Sequence, residues 1–210
     1  MISLATAALE AAMRPGVTYA DVRVVESTDR GLTTKNGRAA TVSGAESIGV
    51  GIRVLADGCW GFAATDDLTP GGLQSTAALA ISIARASAMA KKYDVVLAPE
   101  YKYESTWTSP CEIDPFSISV DEQLGYLLAV DTEMRSNSGV TLTETGFHCE
   151  RTRQVFASSI GSIIDQTRTS TGAGMAAYCF KDDEIQKRSY PNSFGGQYQI
   201  RAVRARWDLR

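Results

Sequence analysis

The chain has 210 residues, 44% of them hydrophobic and 21% charged, with 18 glycines and a formal net charge of −3. That composition excludes a disordered, collagen-like or coiled-coil protein, and the length allows one large domain or two small ones that fold without covalent staples. No window approaches the roughly 18 consecutive apolar residues of a membrane span: the most apolar stretch, Leu73 to Ala90, is broken by Gln74, Ser75, Ser82, Arg85 and Ser87. Glu10 and Arg14 interrupt the first apolar residues and no basic run precedes them, so the sequence predicts a cytoplasmic chain without a cleaved signal.

The predicted elements begin with a short helix, in which Leu4, Ala7, Ala8 and Ala11 recur at helical spacing before a Pro15-Gly16 stop. Tyr19 to Val25 alternates as a half-buried strand. Leu32–Thr34 and Ala39–Val42 flank Asn36-Gly37, a pair suited to the positive φ angles of a type I′ turn, and predict a hairpin. Ile48, Val50, Ile52 and Val54 alternate with glycine and arginine, Asp57-Gly58 turns the chain, and Cys59 to Ala63 continues as the next strand. Thr69-Pro70 reads as N-cap and first helical residue of a helix whose buried side is Leu73, Ala77, Ala80, Ile81, Ala84 and Ala88.

Periodicity lapses between Leu97 and Pro115, which suggests a boundary or connector. Ser119 with Glu122 forms a capping box for a helix to about Arg135. From Val140 on, branched and small apolar residues punctuated by Gly146, Gly161, Gly172 and Lys181-Asp182-Asp183 read as antiparallel strands. The predicted class is α+β: an antiparallel or mixed sheet with packed helices in the N-terminal part, then a helix and an antiparallel β-rich segment. The expected division is residues 1–98, 99–198 and a basic tail at 199–210.

Residues 1–150 carry 11 basic and 19 acidic side chains, whereas residues 151–210 carry 10 and 5. Arg201, Arg204, Arg206 and Arg210 crowd the end, yet no stacking aromatics or reading helix accompany them, so no nucleic-acid partner is expected. Cys59, Cys111, Cys149 and Cys179 lack any CxxC spacing and read as reduced, buried small residues. His148 is the only histidine, so no motif requiring two can exist within the chain. In His148-Cys149-Glu150, strand alternation separates the cysteine from the other two. No phosphate loop or GxSxG elbow is present, and the paired carboxylates Asp66-Asp67 and Asp182-Asp183 read as turns.

The order Tyr19-Ala-Asp-Val-Arg-Val24, Gly49-Val-Gly-Ile-Arg-Val54 and Asp57-Gly-Cys-Trp-Gly-Phe-Ala-Ala-Thr65, followed by the helix after Thr69, resembles the N-terminal domain of TldD/PmbA metallopeptidases, also called modulators of DNA gyrase. Further along, Gln166–Thr169, Gly172-Ala-Gly174, Arg188-Ser-Tyr-Pro191 and Gly195-Gly-Gln-Tyr198 resemble the family's middle segment, nearer the TldD branch. The resemblance implies a zinc peptidase acting on unfolded or small peptides as a homodimer or a TldD/TldE-type heterodimer, with no membrane partner.

The family's metal site, an HExxxH helix with a distant cysteine, has no counterpart in these residues. No catalytic or metal-binding residue is therefore carried over, and no cofactor is expected in this chain. The resemblance implies instead a non-catalytic portion whose strands wall a peptide groove, with Arg188, Tyr190, Gly195 and Gly196 as groove candidates. The alternative is a stand-alone interaction or regulatory module that dimerises or binds peptides.

Overall fold

The computed structural model describes residues 1–191 and 195–198; the expected basic tail lies outside the described residues. The elements run α1 (Ile2–Ala12), β1 (Val17–Lys35), β2 (Arg38–Ala56), β3 (Cys59–Thr65), α2 (Pro70–Ala88), β4 (Glu104–Thr108), α3 (Val120–Arg135), β5 (Leu142–Ser158), β6 (Ile163–Lys181) and β7 (Glu184–Tyr190). The fold is α+β. Its sheet has the order β3-β2-β1-β5-β6-β4, with β7 also paired to β6. Strands β2–β3 and β6–β7 are antiparallel, whereas β4 runs parallel to β6 with Glu104 opposite Ile163 and Thr108 opposite Thr167.

The turns follow from local chemistry. Asn36 and Gly37 have φ of 50° and 75°, and Asp57 and Gly58 have 50° and 73°, as a two-residue type I′ hairpin requires at both positions. Asp182, φ 54°, turns β6 into β7. The expected short strands prove to be parts of longer ones: β1 and β2 have 19 residues each and run through the stretches between the two N-terminal patterns. Gly146 and Gly172 likewise lie within β5 and β6 instead of ending them. Flanking strands supply the ladder hydrogen bonds that a glycine's weak β preference would otherwise forfeit.

Contacts group the chain into two compact units, each drawn from three stretches. The first comprises Met1–Ser27, Ser47–Thr108 and Thr152–Thr167. Its core joins Ala5, Ala8 and Ala12 of α1 to Val22 and Val24 of β1, Val50, Ile52 and Val54 of β2, Val155 of β5, and Leu73, Ala77, Ala80, Ile81 and Ala84 of α2. The buried side of α1 is Ala5, Ala8 and Ala12, which keeps Ala8 of the expected Leu4, Ala7, Ala8 and Ala11, while Leu4 and Ala11 pack only partly buried beside it. Thr69 Oγ1 accepts from the Gly72 amide at 3.1 Å and Pro70 opens α2, as the sequence predicts. The small buried side of α2 lets it lie so close to β3 that a Cβ at Gly61 would collide with the Ala80 carbonyl.

The second unit comprises Thr28–Glu46, Ser109–Arg151 and the chain from Arg168 on. Ser119 Oγ accepts from the Glu122 amide at 3.1 Å and starts α3; the Glu122 carboxylate takes the Tyr126 hydroxyl at 3.2 Å. Leu127 of α3 packs with Leu32, Phe147, Cys149 and Tyr198, the last two rings meeting edge to face at 6.0 Å (Phe147–Tyr198). Asp131 is fully buried there, and among the described residues neither of its carboxylate oxygens has a hydrogen-bond partner. Of the four cysteines, all free, only Cys149 is buried; Cys111 is exposed and Cys59 and Cys179 are intermediate. Cys111 sits outside any strand or helix, where no packed surface covers it.

Candidate peptide groove

Within the second unit an open groove of about 470 Å³ runs over β1, β5 and β6 and reaches Ala40 of β2, Ser189 of β7 and Pro191. Its floor is built from Gly146, Gly174 and Ala176, which carry little or no side chain and leave backbone accessible. A Cβ at Gly146 would meet nothing nearer than 3.9 Å, so the space above that glycine is unfilled. Thr33 and Thr34 add hydroxyls at the β1 side, where Thr34 Oγ1 lies 2.6 Å from Thr145 Oγ1.

A row of charges edges the groove. Lys35 Nζ is 3.6 Å from Glu144 Oε1, and both side chains are about half exposed (55% and 42%). Glu144 Oε2 also accepts the Tyr178 hydroxyl at 3.2 Å, and Lys187 Nζ lies 5.1 Å over the Tyr178 ring. Such exposed pairs contribute little stability, roughly 0–1 kcal/mol each, but they present one sign of charge beside the other along the strands.

None of the sequence candidates Arg188, Tyr190, Gly195 and Gly196 is among the described residues that line the groove; Arg188 and Tyr190 lie on β7, on either side of the lining residue Ser189. Tyr190 is opposite Met175 and Arg188 opposite Ala177, both exposed, while Ser189 lines the groove between them. Strand alternation sends Arg188 and Tyr190 to the face opposite Ser189. Arg188 Nη1 donates to the neighbouring Lys187 carbonyl at 2.9 Å. The Gly196 carbonyl accepts from the Thr171 amide at 2.9 Å, and Gly195 adopts φ 105°. Of the residues not foreseen, Thr33, Lys35, Ala40, Glu144 and Ala176, only Ala176 belongs to a pattern, the small residues at 172, 174 and 176 that repeat with strand period on one strand; the other four carry no such signal.

A second polar cluster occupies the first unit. Asp21, fully buried, accepts from Arg23 Nη1 at 2.8 Å and from Arg53 Nε and Nη2 at 2.8 and 2.5 Å. The Arg53 guanidinium lies 4.4 Å over Trp60 and the Arg23 guanidinium 5.0 Å over Phe156. Leu97 to Glu100 closes a pocket of about 350 Å³ over Tyr19, Trp60 and these arginines. Burial, then the negative charges of Asp21 and Glu100, pushes the Tyr19 hydroxyl up to about 12, so it serves as a neutral donor.

Residues 20–90 match the family model described as PmbA/TldA metallopeptidase domain 1. That stretch, about a third of the chain, is thus similar to the first domain of PmbA/TldA metallopeptidases. Three solved structures share the fold. A Bacteroides thetaiotaomicron protein named a modulator of DNA gyrase is 16% identical, with a TM-score of 0.73 over 89% of this chain and 43% of that one. A Thermotoga maritima protein of the same name is 17% identical, TM-score 0.66, over 89% and 41%. TldE from Thermococcus kodakarensis is 17% identical, TM-score 0.65, over 87% and 42%. The chain therefore spans less than half the length of each of these three structures. No curated protein sequence matches it.

The metallopeptidase name implies a metal, and the donors can be tested against it. Among the described residues no three His, Cys, Asp or Glu side chains converge. His148 and Glu150 are exposed on β5 and Cys149 is buried, as alternation predicts, so this run does not gather three donors on one side. The donor set does not fit a zinc peptidase centre, which needs three protein ligands and an open water position. Among the described residues no helix is long and apolar enough to cross a membrane.

Proposed function

We propose that this chain is a non-catalytic, peptide-binding portion of a TldD/PmbA-like zinc metallopeptidase system, cytoplasmic, acting in proteolysis of unfolded or small peptides. It supplies the wall along which an extended peptide lies, and pairs as a homodimer or with a TldE-type partner; zinc and the hydrolytic step belong to residues outside this chain. The observation that carries the reading is the groove floor of Gly146, Gly174 and Ala176 beside the Lys35–Glu144 pair. A side-chain-poor strand surface admits a peptide backbone closely without selecting its sequence, and flanking charges of both signs suit its dipoles.

The test is fluorescence anisotropy of a labelled, unstructured decapeptide of mixed sequence against this chain and its Gly146→Leu variant. Leucine fills the open space above Gly146 and fits a strand, so the fold is retained. Binding weakened about tenfold or more, about 1.4 kcal/mol, supports the groove. Equal binding by the variant, or zinc-dependent hydrolysis of the peptide by this chain alone, overturns the reading.

A further inference from the structure

The β2 segment from Arg38 to Ser47 is exposed at every residue, on both faces of the strand. Its inner edge faces β1 through the Asn36-Gly37 turn: Ser43 Oγ donates to the Gly31 carbonyl at 3.3 Å, and a Cβ at Gly44 would lie 3.3 Å from the Asp29 carbonyl. Its outer edge is open. Strand β3 pairs with β2 only from Val50 onward, and among the described residues no other strand covers the edge before it. Between Ala39 and Ala45 there is no lysine, proline or other charge, the features by which exposed edges usually avoid pairing.

We infer that this edge pairs with the same edge of a second copy of the chain. The sequence Arg38-Ala-Ala-Thr-Val-Ser-Gly-Ala-Glu46 is complementary to itself when two strands run antiparallel about a two-fold axis at Val42. Arg38 then faces Glu46 of the partner subunit at each end, while the intervening pairs are small: Ala39 with Ala45, Ala40 with Gly44, and Thr41 with Ser43. Moving the axis by one residue leaves both charges without opposite partners. Neither Arg38 nor Glu46 has an ion pair within the described residues.

The backbone polarity fits the same register. A two-residue turn sets Lys35 and Arg38 as a hydrogen-bonded pair, so even-numbered residues of the segment direct their N–H and C=O groups to β1. Ala39, Thr41, Ser43 and Ala45 direct theirs outward. An axis at Val42 places these outward groups in register and yields about eight inter-strand hydrogen bonds. This names the surface for the homodimer included in the proposed function and rests on that part of it.

The experiment is sedimentation velocity across a concentration series. Thr41→Pro removes an N–H that points away from β1, so the hairpin keeps its ladder while the outer edge loses a donor. Thr41→Pro should weaken association at least about tenfold with an unchanged circular dichroism spectrum. Arg38→Glu should weaken it several-fold, and Arg38→Glu combined with Glu46→Arg should restore it. A dimer unaffected by both single variants overturns the edge as the interface and leaves self-association standing. A native chain that is monomeric at every concentration overturns both, and neither result bears on decapeptide binding.

Discussion

Asp21 receives Arg53 through two nitrogens of one guanidinium and Arg23 through a third contact, from a position with no exposed surface of its own. Both arginines stay about 40% exposed and rest on aromatic rings, so water and Trp60 or Phe156 share the task of holding their charge. Asp21→Ala should destabilise by about 1–3 kcal/mol, the usual effect of deleting one partner of a buried polar contact, tempered by this exposure. Asp21→Asn, which keeps the volume and an acceptor, should lose less. Urea denaturation of the three proteins orders them.

At Gly61 the reason for glycine is steric. A Cβ there meets the backbone of Ala80 and Ala84, which cannot move without shifting α2 as a whole. Gly61→Ala should destabilise by about 1–3 kcal/mol, whereas Gly146→Ala, with only ordinary contacts above it, should be neutral or slightly stabilising. Midpoints from urea titration with equal slopes would show the contrast.

Much of this was legible beforehand. The Asn36-Gly37 and Asp57-Gly58 turns, the Thr69 and Ser119 caps, and the apolar side of α2 rest on local chemistry that a sequence displays directly. The strand β4 was not legible: all five residues are exposed, and pairing with β6, some sixty positions away, is what makes Glu104–Thr108 extended. The same limit hid the groove. Its floor joins residues of β5 and β6 that are neighbours only after the sheet forms, and nothing in the spacing of Gly146 and Gly174 announces it. The Asp21–Arg53 contact fell between: Asp21 alternates out of phase with the apolar Ala20, Val22 and Val24, but nothing in that pattern shows that it is fully buried or that its partner comes from β2.

Acid should act through two carboxylates. The Arg153 hydrogen bond holds Asp165 below the usual carboxylate range, and the Arg151 hydrogen bond does the same for Asp114. Because both folded-state values are depressed, the stabilisation is present above the unfolded value near 4 and is lost as pH falls through the folded values. Stability should therefore decline below about pH 4. Asp165→Asn should flatten that decline more than Asp114→Asn, because Asp165 is 11% exposed and Asp114 is 42% exposed. Denaturation midpoints from pH 7 to pH 2.5 would give both slopes.

Thiol chemistry should divide the cysteines by burial. Cys111 is exposed, while burial pushes the Cys149 thiol up to about 11 and leaves it protonated at neutral pH. Iodoacetamide at pH 8 should modify Cys111 first and Cys149 only after unfolding. Peptide mass spectrometry at successive times would read the order.

The placement of β5 beside β1 carries a cost during synthesis. The β1–β2–β3 strands and α2 are complete by Ala88, but β1 waits for its other neighbour until Ser158 has been made. At roughly 5–20 residues per second, about seventy residues take on the order of four to fourteen seconds. For that interval the nascent chain holds a formed hairpin with an open inner edge at β1, and the core around its Val22 and Val24 still lacks Val155 and Ala157 of β5. The vulnerable period of this protein is thus set by the order of its strands along the messenger, and a chaperone would meet it there.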